Sequence, residues 1–164
     1  MRDRKYYLNL RNKYSPGNLK IIFILESPPT NGNFFYDLDG RITEKLFSAM
    51  MKVIGYRPLS KEDGLKEFSE EGYLIIDATY VPANAIENKR ERNKVILMDL
   101  PRLLDDLSDK RRANIVLVKA NICRMLEGPL TEAGFRVKNN GRIVPFPSNG
   151  QQNNFLNQIE KILS

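Results

Sequence analysis

Histidine and tryptophan are absent from the 164 residues, and cysteine occurs once, as Cys123. Histidine is the side chain whose unperturbed pKa suits it to proton transfer near neutral pH, so histidine-based triads and histidine-ligated metals are excluded. A lone cysteine rules out an internal disulfide and any zinc or iron-sulfur site built from several thiolates of this chain. A reducing, cytoplasmic setting fits that usage. Without tryptophan, stacking on a planar ligand falls to Phe, Tyr or Arg. No apolar run approaches the roughly 20 residues that span a bilayer, and the N-terminus lacks the apolar core of a signal peptide, so a soluble protein with no membrane partner is expected. Acids are also in deficit, 20 against 26 bases, and none lies between Ala133 and Ile159. The formal net charge of +6 favours a polyanionic partner such as nucleic acid.

What is present is a set of short apolar runs that end in polar residues. Ile21 to Leu25 shows no alternation, which suits a strand covered on both faces, and it stops at Glu26-Ser27-Pro28-Pro29. In open α/β sheets ligands lie beyond the carboxyl ends of the strands, so this junction is either a site or a plain strand-to-loop transition. Tyr73 to Ile76 repeats the pattern and ends at Asp77, and Ile115 to Val118 repeats it again before Lys119. Arg142 to Val144 reads as a fourth, short strand broken by Pro145-Phe146-Pro147. Between them, apolar residues recur at helical spacing from Ile42 to Ile54, with Gly55 at the stop, and from Ile96 to Leu107. Shorter helical stretches lie near Lys61 to Glu70 and around Ile122 to Leu126, and Gln151 to Ser164 forms the last helix. This alternation predicts a three-layer α/β/α sandwich with a central, mainly parallel four-stranded sheet. One domain spanning residues 1–164 is expected, with residues 1–19 as a basic N-terminal segment.

Several stretches admit two readings. The N-terminal segment interleaves Arg2, Arg4, Lys5, Arg11 and Lys13 with Tyr6, Tyr7 and Tyr14, which suits contacts to a phosphate backbone or an arm packing its tyrosines on the domain. Lys89 to Lys94 is a solvated face or a phosphate contact. Phe34, Phe35 and Tyr36 are core plugs or a pocket wall. Cys123 reads as a small buried side chain, since no histidine exists to activate it.

In order and spacing across most of the chain, these motifs resemble the uracil-DNA glycosylase superfamily. KIIFILESPP is similar to its first motif, a strand entering a water-activating, proline-containing loop. There Glu26 and Pro28 keep the pattern of the iron-sulfur branch, and Ser27 stands where other branches carry a water-positioning Asp or Asn. GYLIIDATYVPAN resembles the strand that ends in a base-reading Asn, here Asp77. IVPFPSNGQQNNF resembles the loop that enters the minor groove, with Pro147 and Ser148 retained and Phe146 in place of His or Asn. The resemblance implies hydrolysis of a base-sugar bond after the nucleotide is flipped into a pocket. It implies Glu26 and Ser27 at the water, and Phe35 or Tyr36 stacking on a base whose edge Asp77 reads. Pro28, Pro147, Ser148, Asn149, Gly150 and Gln151 would then contact DNA, single- or double-stranded. A monomer with no metal and no other cofactor is expected, because the branch's cluster cysteines are missing. An ionised carboxylate only accepts hydrogen bonds, whereas an amide donates as well, so Asp77 suits a base edge presenting donors unless it is protonated. The alternatives are a satisfied structural carboxylate at Asp77, a paired structural acid at Glu26, and a relative that binds nucleic acid or nucleotides without catalysis.

Overall fold

The computed structural model describes residues 2–164. Three apolar runs form the strands β1 (Ile21–Leu25), β2 (Tyr73–Asp77) and β3 (Asn114–Leu117), and a two-residue β4 (Arg136–Val137) completes the sheet. All pairings are parallel, in the order β2-β1-β3-β4, with Ile21 opposite Tyr73 and Asn114. β1 therefore lies in the interior, and its residues Ile22 to Leu25 are all buried, as an unalternating run requires.

Among the described residues seven helices flank the sheet: α1 (Arg4–Asn12), α2 (Lys45–Ile54), α3 (Lys61–Glu70), α4 (Lys89–Met98), α5 (Leu100–Leu107), α6 (Ala120–Glu132) and α7 (Gln152–Leu163). α2 packs against α3 and α7, and α4 against α5. Because β1 leads to β2 on one side and β2 leads back past β1 to β3 on the other, right-handed crossovers put α2–α3 and α4–α5 on opposite faces. The result is an α/β/α sandwich. Among the described residues no helix is long and apolar enough to cross a membrane.

Local chemistry sets the helix ends. The side chains of Asp3, Ser60 and Asn88 accept backbone N–H groups at the starts of α1, α3 and α4. Gly55 ends α2 in the left-handed region, at φ 67°. The helical periodicity from Ile42 overshoots: α2 starts at Lys45 and Ile42 is exposed. The long apolar stretch that ends at Leu107 is two helices, broken at Asp99, because Pro101 has no N–H to continue the ladder, and Leu97 and Met98 are left on the surface. The basic stretch from Lys89 lies inside α4.

The basic N-terminal segment is the helix α1, and it packs. Tyr7 is buried against Phe34, with ring centroids 4.9 Å apart. Arg11 is 5% exposed and makes a two-pronged pair with Asp106 of α5, at 2.8 and 2.9 Å, while also donating to the Tyr80 hydroxyl. Burial opposes the charge on both partners, but their mutual bonds prevail, holding the Arg11 pKa up and the Asp106 pKa down.

The fourth strand is not where the sequence places it. Arg142 to Val144 forms no ladder; β4 is Arg136–Val137, and the chain then turns at Asn140 and Gly141, both at positive φ, closed by Arg142 N–H to Asn139 O at 2.9 Å. The buried Asn139 side chain takes the place of a continuing strand. Its amide accepts from Leu117 N–H at 2.8 Å and donates to Leu117 O at 3.0 Å, the two bonds a neighbouring backbone would make. Asn139→Leu strips both partners at once and is expected to cost about 1–3 kcal/mol for each group left unpaired, measured by urea denaturation.

Candidate functional site

A cavity of about 450 Å³ opens beyond the carboxyl ends of β1, β2 and β3. β1 lies between the other two, so Glu26 at its end is flanked by Asp77 on one side and by Lys119 on the other. The boundary between β1 and β3 is where the strand order reverses, the position at which open α/β sheets hold ligands.

Glu26 is 5% exposed, and both carboxylate oxygens are engaged: Oε1 with Lys119 Nζ at 2.8 Å, Oε2 with Asn121 Nδ2 at 2.7 Å. Each oxygen keeps a second lone-pair direction for a water or hydroxyl. Lys119 reaches this position through an uncommon backbone conformation for a side-chain-bearing residue, φ 87°, with its N–H held by Val144 O at 2.7 Å. Strain of this kind costs on the order of 1–3 kcal/mol and persists where the surroundings over-determine it. Ser27 Oγ accepts the Ala83 N–H at 3.0 Å, tying the loop after β1 to a short turn of 3-10 helix, Ala83–Ala85, and leaving its own proton free to donate.

Asp77 differs from Glu26. It is 6% exposed on the cavity wall, and no hydrogen bond from the described residues reaches its carboxyl. Burial, with the nearby Glu26 charge adding to it and Arg11 opposing it, pushes its pKa up to about 7 from an ordinary 3.8. A carboxyl whose folded pKa is raised binds its proton more tightly folded than unfolded, so stability falls as pH rises between those two values. Asp77→Asn is therefore expected to gain stability over the native protein from pH 4 to pH 8, by up to about 4 kcal/mol at the alkaline end, as read from denaturation midpoints.

The cavity gathers Glu26, Ser27, Pro28, Phe35, Asp77 and Ser148 from the residues the sequence singles out. Phe34 and Phe146 add aromatic wall. Tyr36 does not belong: it is 1% exposed in the core, its hydroxyl accepts the Ile75 N–H at 2.9 Å, and its ring cannot reach a ligand. Its polar tip is needed inside, while Phe35 beside it has none to satisfy. Pro147 is buried behind the wall. Asn149, Gly150 and Gln151 are exposed where α7 begins, outside the cavity, and Asn149 accepts from Lys45 Nζ across the mouth.

Lys119 and Asn121 escape the sequence reading as site residues. The strand-end position of Lys119 is the available signal; the left-handed turn that swings its amine back to Glu26 leaves none. Lys61 is likewise hidden, a buried cation that donates to Glu44 at 2.9 Å and to Phe34 O at 3.0 Å, so that it pins the aromatic loop to α2. Cys123 is buried, burial raises its thiol pKa, and Sγ donates to Leu117 O. Among the described residues no group of three or more carboxylate or thiol side chains is arranged to hold a metal ion.

The arrangement sets a fixed carboxylate with its ammonium partner, a second carboxyl without a hydrogen bond from the described residues, and phenyl rings on the wall of one cavity. It suits a flat, polar-edged ring. No protein-family model, curated protein or solved structure matches the chain.

Proposed function

We propose that the protein is a DNA glycosylase of the uracil-DNA glycosylase kind, acting in base-excision repair on a deaminated or otherwise altered base. The observation that carries this reading is that Glu26, Phe35, Asp77 and Ser148, from four separate segments, line one cavity. A nucleotide flipped from the stack places its base between the Phe35 wall and Asp77, with its sugar toward Glu26. Glu26 orients a water toward C1′ and offsets the positive charge that develops on the sugar as the base departs. The Lys119 side chain, one-third exposed and ion-paired with Glu26, attends the charge on the leaving base in this reading, a role for which the chain has no histidine. Ser148 and the exposed Asn149 to Gln151 face the phosphates, with the basic surface adding long-range attraction. The setting that fits is a monomer working on DNA in the cytoplasm.

A second reading is a relative that binds nucleic acid or nucleotides without cleaving them. It is favoured by the engagement of both Glu26 oxygens, which leaves less room to activate water. The two separate on single- and double-stranded oligonucleotides carrying uracil, hypoxanthine, xanthine or alkylated bases, followed by alkaline cleavage of abasic sites. Base release supports the enzyme; salt-sensitive binding without release supports the binder. No binding at low salt would sink both.

A further inference from the structure

Lys119 holds its place against two local preferences. Its backbone, at φ 87° and ψ 137°, lies close to a region that glycine enters readily and other residues only at a cost. It is also the N-cap of α6, where the free N–H groups of the first turn favour an anion or a capping oxygen, and its side chain caps nothing. Backbone strain kept at a cavity wall marks a side chain with a task there.

The task has to suit an amine. Among the described residues Lys119 Nζ donates once, to Glu26 Oε1 at 2.8 Å, and the side chain stays one-third exposed. Asn121 holds the other Glu26 oxygen at 2.7 Å and so keeps the carboxylate against Nζ. The other amines near the cavity are placed differently: Lys61 is buried between Glu44 and Phe34 O, and Lys45 is bonded to Asn149 at the mouth. An amine with a carboxylate in hydrogen-bond contact is equipped to form a Schiff base with an aldehyde, the nitrogen adding to carbon while the carboxylate moves the protons.

Resting on the reading of this cavity as a nucleotide pocket, we infer a second activity: Lys119 condenses with the open-chain aldehyde of an abasic deoxyribose, and the DNA strand is cut on the 3′ side of that sugar. A sugar lying against Glu26 lies against Nζ as well, since the two side chains touch. Lys119 passes one proton to Glu26, its nitrogen adds to C1′, and the former carbonyl oxygen takes a second proton from that nitrogen. Glu26 returns its proton to the new hydroxyl, the C1′–O bond breaks, and water departs to leave an iminium. The Glu26 carboxylate then removes a C2′ proton, which goes on to solvent. The freed electron pair forms a double bond and expels the 3′-phosphate, which leaves with the C3′–O bonding pair. Water hydrolyses the imine, freeing the amine and an unsaturated aldehyde. The sequence is redox-neutral and needs only water.

The test uses a 5′-labelled oligonucleotide whose single abasic site is made by acid depurination, so that no glycosylase is needed. Incubation with the native protein and sodium cyanoborohydride should leave a covalent adduct of protein and DNA, and digestion with mass spectrometry should find the modified amine at Lys119. Without the reductant the strand should be cut 3′ to the abasic site. Lys119→Arg keeps the charge beside Glu26 without the nucleophile, and it should lose both products, as should Lys119→Met. Glu26→Gln should slow cutting by about 10²–10⁴-fold. The inference is overturned if no adduct forms, if the mapped amine is another lysine or the N-terminus, or if Lys119→Arg cuts at the native rate. Mapping on the native protein decides the matter even where a variant fails to fold. Base release from the altered-base oligonucleotides is scored separately: an adduct at Lys119 without release supports this activity and rejects the glycosylase, and release without the adduct does the reverse.

Discussion

Glu26→Gln is expected to lower base release by about 10²–10⁴-fold, the range over which a positioned acid or base contributes. The substitution keeps the shape of the side chain and one acceptor oxygen. What it removes is the negative charge that holds a water toward C1′ and answers the charge on the sugar. Binding of the oligonucleotide should change little, because the phosphates are gripped elsewhere, so the loss belongs in single-turnover rate and not in affinity. The substitution also leaves Lys119 without its anion. The double variant Glu26→Gln with Lys119→Met separates the two effects, since it relieves the unpaired ammonium without restoring the carboxylate. Unchanged release in Glu26→Gln would remove this residue from the water's path.

The second large effect concerns stability. Asp106→Ala leaves the Arg11 guanidinium buried with only the Tyr80 hydroxyl as a side-chain partner. Breaking a buried pair from one side costs about 3–5 kcal/mol, far more than the net worth of the pair, because a charge is stranded away from water. The Arg11→Met, Asp106→Leu double variant should recover most of that loss, and thermal unfolding reads both. The pair also sets an acid limit. Asp106 has its folded pKa lowered, so its contribution is full above the ordinary carboxylate range and is lost as pH falls below it. Acid unfolding should therefore begin at higher pH in Asp106→Asn than in the native protein.

The three long strands were legible because their signal is one-dimensional: an unbroken apolar run such as Ile21 to Leu25 has few other places to go. Strand-end polar residues follow from the same logic, which is why Glu26 and Asp77 could be brought together from sequence and lie around one cavity; Ser148, which follows no strand, came from the motif resemblance and lies on the same cavity. What stayed hidden has a side chain doing the work of backbone, or a backbone in an unusual state. Nothing in Arg136-Val137 outranks Arg142-Ile143-Val144 as a strand until Asn139 is seen to occupy the ladder position beside Leu117. Lys119 is an ordinary lysine in a string of letters, and its role depends on φ 87°. Tyr36 and Phe35 are neighbours of similar size and both are buried, and the Ile75 N–H bond to the Tyr36 hydroxyl marks the one that lies away from the cavity.

That hydroxyl has a bearing on how copies of the chain meet each other. β2 is an edge strand, and two of its N–H groups are not spent on β1: Ile75 donates to Tyr36 and Asp77 donates to Tyr80 at 3.3 Å. On the far edge β4 covers only Asn114 and Ile115, and Asn139 covers Leu117. Open edges are templates on which a second chain can add a strand and begin to aggregate. In this sheet two tyrosines take up two donors on the β2 border and one asparagine takes up Leu117 beyond the end of β4, which shortens the stretches open to strand addition without the sheet closing into a barrel.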